Sequence, residues 1–349
     1  MDEGRGNLGG PVMKLVTFVD ASGQQRIGSV LDDLESVGDL RAGAEALWNR
    51  SPGCFDTMLA LIQGGADATA QAQEIAAAIN QGRAPSARVP LEGLRLKAPV
   101  PRPEQMRDFL AFELHFKQAR AEALRIRAAS FADPVAATAQ LKDTEEFKIP
   151  PIWYEQPVYY KGNRFSVIGP EDDVFWPRYS KKLDFELELG AFVGTAGKNI
   201  AKDKARDHIF GYCIFNDMSA RDAQYREYPA RLGPAKGKDF DTGNIMGPWL
   251  VTADEVGDPY DLTMIVRVNG EEWGRGNSGS MFHKFEDMIA HVSQDETLHA
   301  GEFLGSGTVG NGCGLEHNRW IKPGDVIELE ISKLGILSNR VISELSLSQ

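Results

Sequence analysis

The sequence predicts an α+β protein that is mainly β: a small N-terminal domain, then a β-rich roll or barrel. Three observations point there. From Lys161 onward, short apolar runs lie between Gly and Pro turns without alternating helices, which favours a roll over a doubly wound sheet. An Ala-rich run before residue 95 has helical character. Between these parts, "LRLKAPVPRPEQM" reads as a linker, because Pro99, Pro101 and Pro103 disfavour regular structure.

The elements follow in chain order. Residues 1–12, "MDEGRGNLGGPV", are polar and Gly-rich and read as a disordered leader without a signal-peptide core. The N-terminal domain, residues 13–95, opens with a strand, "MKLVTFVD", and a turn, "ASGQQ". The run "DATAQAQEIAAAIN" follows as a helix. Residues 96–349 form the second domain. Its first stretch, "RDFLAFELHFKQARAEALRIRAAS", has a helical stripe of Phe109, Phe112, Phe116, Ala119 and Leu124. Then come "RFSVIG", "LDFELELGAFVG", "IFGYCIFND", "GPWLVT", "LTMIVRVNGEEW" and "DVIELEIS" as strands, interrupted by one amphipathic helix, "MFHKFEDMIAHVSQ".

Bulk properties narrow the function. The chain has 349 residues, 50 acidic and 38 basic, a formal charge of −12. That balance disfavours nucleic acid or an acidic membrane as partner. No apolar run approaches the roughly 18–20 residues of a membrane span. Cys54, Cys213 and Cys313 are odd in number and lack a CxxC, which fits reduced thiols and a cytoplasmic location.

The stretch "DFELELG" places Asp184, Glu186 and Glu188 on alternate positions. On a strand they share one face, roughly 6.5–7 Å apart. Neighbouring carboxylates there repel by about 2 kcal/mol at an effective dielectric near 20. Either the face is wet and the charge screened, or it is interior and a hard cation neutralises it. Oxygen ligands of this kind select Mg²⁺, Ca²⁺ or Mn²⁺. Asp217 ends the hydrophobic run "YCIF", with Arg221, Asp222 and Gln224 just beyond. Asp108 and His115 are seven apart, two turns on one helix face if the segment is helical.

These segments, "LDFELELGAFVG", "DHIFGYCIFNDMSARDAQ" and "GKDFDTGN…GPW", in that order, resemble the fumarylacetoacetate hydrolase family over roughly residues 95–335. The order is that of its long members, with an N-terminal domain and the Asp108…His115 box. The resemblance implies a mixed β-sandwich roll and a cation held by Asp108, Glu186, Glu188 and Asp217. It leaves Asp184 outside the ligand set. His115 would be the general base and Glu316 its partner. Gln224 and Lys238 would donate to a developing oxyanion or carbanion, and Arg221 would help place His115 and water. Tyr228, Thr308 and Tyr159 or Tyr160 would contact substrate. Some relatives carry a second Mg²⁺, here near Lys238 and Thr242. The implied reaction is hydrolysis of a C–C bond in a β-diketone or acylpyruvate-type acid, by a homodimer, as in aromatic catabolism.

The sequence departs from that family at Leu110, where long members have a substrate tyrosine, and none of Arg120, Arg125 or Arg127 matches its substrate arginine. A longer stretch, residues 128–156, is expected to act as a lid or pocket wall. Substrates other than fumarylacetoacetate itself are therefore expected. Isomerisation or decarboxylation of a 2-oxo or 2-hydroxy-dienedioate is the alternative reaction, and a noncatalytic binding protein with a relic metal site the alternative class. His283, His291 and His299, eight apart, fit surface or core-edge roles better than a metal site. "GSGTVGNGCG" lacks the βαβ context of a dinucleotide loop.

Overall fold

The computed structural model describes residues 13–343. The expected leader, residues 1–12, lies outside them. Strands β1 (Lys14–Val19), β2 (Gln25–Val30) and β3 (Ser36–Asp39) precede helices α1 (Leu40–Trp48), α2 (Met58–Gln63) and α3 (Gly65–Asn80). Strands β4 (Arg88–Pro90), β5 (Arg95–Lys97) and β6 (Met106–Phe109) lead to α4 (Glu113–Ala128), α5 (Pro134–Leu141) and α6 (Ile152–Glu155). Then come β7 (Tyr159–Lys161), β8 (Val167–Ile168), β9 (Val174–Phe175), β10 (Leu183–Asp184), β11 (Leu187–Val193), β12 (Ile209–Asp217) and β13 (Ser219–Ala220). After α7 (Arg221–Glu227) lie β14 (Asn244–Thr252), α8 (Ala253–Val256), β15 (Thr263–Val268) and β16 (Glu271–Asn277). Helix α9 (Phe285–Val292), β17 (Phe303–Gly305), β18 (Val326–Ile331) and β19 (Gly335–Ile342) complete the described chain.

The main sheet runs β4-β3-β2-β1-β14-β12-β11-β17-β6-β7, and a second runs β16-β15-β18-β19-β9. The protein is α+β and mainly β. Its central strand, β11, is buried at every position, so the main sheet has a core on each face. On one face Leu187, Leu189, Ala191, Tyr212 and Ile214 meet Met264, Val266 and Leu329 of the second sheet and Phe285 and Met288 of α9. On the other, Phe192, Cys213, Phe215 and Phe303 join Leu15, Ile75 and Ile79 from the N-terminal segment. Helix α3 buries the stripe Ala68, Ala72, Ile75 and Ile79, at the helical repeat. It approaches α1 so closely that a Cβ on Gly43 would sit 2.4 Å from Ile75.

The main sheet crosses the sequence boundary near residue 95. Strand β1 pairs with β14, Leu15 opposite Leu250, and β5 pairs with β1. Residues 13–95 thus extend the same sheet that carries "ELELG" and "YCIFND".

One expected element differs. Asp108 and His115 do not share a helix. Asp108 lies on β6, and His115 lies in the first turn of α4. The Phe-rich run that suggested a helical stripe is held extended at its start by β17 on one side and β7 on the other. The "DFELELG" strand is also broken: Phe185 and Glu186 fall between β10 and β11.

Candidate active site

Five strands, β6, β7, β11, β12 and β17, bring the carboxylate cluster together. Strand β11 presents Glu188 on the face it shares with Gly190 and Phe192. Its partner β12 ends at Asp217, on the same side as Cys213 and Phe215. Across β17, Gly305 stands opposite both Gly190 and Asp108. Gly305 is required there: a Cβ would meet Asp108 Oδ1 at 2.4 Å and Glu188 Oε2 at 3.1 Å. Strand β7 then sets Tyr160 opposite Asp108.

Asp108, Glu188 and Asp217 thereby offer carboxylate oxygens that all lie within 4.8 Å of one another, and all three residues are buried. Of these oxygens, Asp108 Oδ1 and Asp217 Oδ1 are buried without any hydrogen-bond partner. Burial and Asp217 push Asp108 well above the usual carboxylate range, and burial and Asp108 do the same to Glu188. Burial also raises Asp217, against the pull of Lys238. Three carboxyls crowded around two unpartnered oxygens are what a hard divalent cation fits, and among the described residues Lys238 bonds Glu186 and Asp217 rather than Asp108 or Glu188.

The remaining carboxylates of "DFELELG" have other partners. Glu186 accepts from Arg221 Nη2 at 2.8 Å and from Lys238 Nζ. Burial alone would raise Glu186, but Arg221 and Lys238 hold it well below the usual range. Glu186 therefore borders the trio through Lys238, which bridges it to Asp217. Lys238 also donates to Ser219 Oγ at 2.7 Å. Asp184, left outside the ligand set by the sequence, anchors the surroundings instead. It is fully buried and accepts from Arg221 Nε and from the backbone N–H groups of Gly314 and Leu315.

His115 is buried, and its Nδ1 lies 2.9 Å from Glu316 Oε1. The other Glu316 oxygen accepts the Cys313 backbone N–H at 3.0 Å. Cys313 pairs with Glu186 through a backbone bridge and lies in one cluster with His115 and Glu316, so the imidazole stands next to the carboxylate cluster. The candidate site thus pairs an acid-held imidazole with a cluster of oxygen ligands.

The other expected residues fall as follows. Gln224 is buried, its Oε1 accepting from Arg221 Nη1 at 3.1 Å. Arg221 itself contacts Asp184, Glu186 and Gln224 rather than His115. Thr308 is buried with its hydroxyl 3.5 Å from Glu188 Oε1, and the preceding Gly307 N–H donates to Glu188 Oε2 at 2.9 Å. Gly307 takes φ +77°, which the close passage against Phe109 requires. Tyr228 is 48% exposed, and Arg221 and Lys238 act on its hydroxyl. Thr242 Oγ1 accepts from the Phe175 N–H, so it serves the chain path beside β9.

Of the two tyrosines, Tyr160 is the one at the site: its hydroxyl donates to Asp217 Oδ2 at 2.7 Å. Tyr159 lies away from it. Strand alternation turns it to the opposite face, where it packs on Phe109 with ring centroids 5.0 Å apart. Residues the sequence reading did not assign are Asp184, Ser219, Gly305 and Asn216. Asn216 Oδ1 accepts the Glu186 N–H at 3.0 Å and so fixes the strand break. Asn216 and Ser219 lie within "NDMSARD"; Gly305 carries no local signal, because only strand pairing puts it beside Asp108.

Residues 128–156 pack over the joint between β6 and α4. Trp153 is buried and donates to the Leu110 carbonyl, beside Phe116, Phe282 and His283. His283 is thus a core-edge residue against the Trp153 carbonyl, and His299 is exposed. Cys54, Cys213 and Cys313 are free thiols. Among the described residues, no helix is long and apolar enough to cross a membrane.

Comparison with known proteins agrees with this geometry. The pattern of the family described as fumarylacetoacetate (FAA) hydrolase C-terminal matches residues 129–342. A mitochondrial oxaloacetate tautomerase of Homo sapiens is 38% identical over 189 residues, 54% of this chain and 60% of the relative. A 2,4-didehydro-3-deoxy-L-rhamnonate hydrolase of Sphingomonas sp. is 37% identical over 188 residues, 53% of this chain and 65% of the relative. The chain thus spans about three-fifths of the length of such relatives. Among solved structures, a fumarylacetoacetate hydrolase from Exiguobacterium antarcticum superposes with a TM-score of 0.70 at 26% identity, covering 95% of this chain and 100% of that one. Maleylpyruvate hydrolase from Sphingobium sp. SYK-6, in complex with manganese(II) and pyruvate, shares the fold at a TM-score of 0.67 and 24% identity, covering 95% and 99%.

Proposed function

The chain belongs to the fumarylacetoacetate hydrolase family, and from that membership we propose that it is a divalent-cation-dependent enzyme hydrolysing a C–C bond in an acylpyruvate-type diketo acid. The observation that carries this reading is the 2.9 Å pair of His115 Nδ1 and Glu316 Oε1 beside the buried carboxylates. Asp108, Glu188 and Asp217 would hold the ion, with Glu186 joining if Lys238 yields it. Mn²⁺, bound by one family neighbour, and Mg²⁺ or Ca²⁺ all suit oxygen ligands. When bound, the cation supplies Lewis-acid polarisation of the substrate's carbonyl oxygens.

The chain's own residues do the proton work. His115 takes a proton from water, and Glu316 stabilises the imidazolium that forms. The water oxygen bonds to the carbonyl carbon. The C–C bond breaks with its electron pair on the methylene carbon, which takes the proton from His115. The products are a carboxylic acid and a 2-oxo acid. Lys238, gathered among Glu186, Asp217 and Ser219, would stabilise developing negative charge once substrate draws it from these partners. Tyr160 holds Asp217, and Arg221, tied to Asp184 and Gln224, holds Glu186.

Keto–enol tautomerisation of a 2-oxo acid is the second reading. The oxaloacetate tautomerase relative favours it, and the same base could move a proton to and from carbon. Acylpyruvates, fumarylacetoacetate and oxaloacetate incubated with Mg²⁺ or Mn²⁺ and followed by NMR separate the two. Acid plus 2-oxo acid from an acylpyruvate, or acid plus 3-oxo acid from fumarylacetoacetate, means hydrolysis, and accelerated enol–keto exchange without cleavage means tautomerisation. His115→Ala should lower turnover by about 10²-fold or more. Unchanged turnover would remove His115 from the mechanism.

A further inference from the structure

Besides the oxygen cluster, the described residues contain a second convergence of metal-ligating groups: His115, Cys313 and Glu316, whose ligand atoms also lie within 4.8 Å of one another. We infer that these three residues form an inhibitory site for zinc, distinct from the oxygen-ligand site, through which Zn²⁺ arrests the catalytic base. Binding rests on the donor geometry alone; the consequence for turnover rests on the function proposed above.

The donor chemistry separates the two sites. Asp108, Glu188 and Asp217 offer oxygen only, the choice of hard ions such as Mg²⁺. His115, Cys313 and Glu316 offer one nitrogen, one sulfur and one oxygen, a combination that suits Zn²⁺. Tetrahedral zinc with Zn–S near 2.3 Å and Zn–N or Zn–O near 2.0–2.2 Å spaces its ligand atoms by about 3.3–3.6 Å. The imidazole–carboxylate pair, now at 2.9 Å, has to open slightly, and the widest separation has to shorten.

The three residues come from rigid surroundings. Cys313 is fully buried and is held by a backbone bridge to Glu186. Its N–H fixes one Glu316 oxygen, leaving the other for His115 or an ion. His115 sits on α4 and is itself buried. The thiol has no role in the proton chemistry above, and burial with Glu316 close by keeps it protonated. On binding, Zn²⁺ accepts the sulfur electron pair and the thiol proton leaves to solvent, with no change of oxidation state. The imidazole lone pair is then occupied, so His115 no longer accepts a proton from water.

The test uses the Mg²⁺-loaded full chain. Co²⁺ added as a spectroscopic substitute for zinc should give a near-ultraviolet thiolate-to-cobalt charge-transfer band, displaced by Zn²⁺ and lost in Cys313→Ser. Zn²⁺ should inhibit turnover reversibly, a large excess of Mg²⁺ should not relieve it, and Cys313→Ser should need at least tenfold more zinc. Absence of the cobalt band in the wild-type protein overturns the proposal. So does zinc inhibition that Mg²⁺ reverses or that Cys313→Ser leaves unchanged, since zinc would then occupy the oxygen cluster. The cobalt spectrum needs neither a folded variant nor a known substrate, so it decides the site even where turnover is not found.

Discussion

Removing the divalent ion should destabilise the protein, and increasingly so as pH rises. Two carboxylates separated by 4.8 Å repel by about 3.5 kcal/mol at an effective dielectric of 20, and Asp108, Glu188 and Asp217 make three such pairs. Without an ion, Lys238 offsets this by direct contact at Asp217 and more weakly at Asp108. The folded protein relieves the rest by holding protons, which is why all three carboxyls are raised above their ordinary range. Above about pH 4 the unfolded chain has released those protons and the folded chain has not. The folded state then binds more protons, so its stability falls as pH rises from there through the raised values. Saturating Mg²⁺ or Mn²⁺ replaces the protons. At a hundred times its dissociation constant, an ion adds about 2.7 kcal/mol, or roughly 5 °C in melting temperature for a chain of this size. The assay is thermal unfolding with chelator or with Mn²⁺, from pH 5 to pH 9. The gap between the two curves should be small at pH 5 and widen towards pH 9. Glu188→Gln, with one charge fewer, should melt higher than wild type in chelator at pH 8 and respond weakly to Mn²⁺. A gap that is absent, or constant across this range, refutes the reasoning.

Two further outcomes follow from neighbouring residues. Gly305→Ala places a methyl 2.4 Å from Asp108 Oδ1 and should weaken Mn²⁺ binding at least tenfold while circular dichroism stays native; unchanged affinity would mean that Asp108 is not a ligand. Asp184→Asn removes the charge that pairs with buried Arg221 and should cost about 3–5 kcal/mol in urea unfolding, and a loss below 1 kcal/mol would contradict its anchoring role.

Two of the three clustered carboxylates were legible in the sequence as neighbours because Glu188 and Asp217 lie on adjoining strands. "ELELG" alternates and "YCIF" is a continuous apolar run, both strand signals, and their pairing sets Glu188 beside Phe215, two residues before Asp217. The His115–Glu316 pair came from the family resemblance and has direct geometry here. What local sequence did not disclose depends on contacts between distant residues. The Phe-rich run around Asp108 fits a helical stripe as well as a strand, and only pairing with β7 and with β17, nearly two hundred residues on, makes it extended. Tyr159 and Tyr160 are indistinguishable by composition, and the register opposite Asp108 separates them. The roles of Asp184 and Gly305 emerge only after folding, the first from the Gly314–Leu315 backbone and the second from space left for two carboxylates.

Carboxylates from three strands, Asp108, Glu188 and Asp217, are expected to hold one ion. Mn²⁺ titration of the chelator-treated protein, read by electron paramagnetic resonance of the free ion, measures this directly. One Mn²⁺ should bind per wild-type chain, and Asp217→Asn should lose that site. A wild-type chain that binds none, or an Asp217→Asn chain that binds one ion as tightly as before, would contradict it.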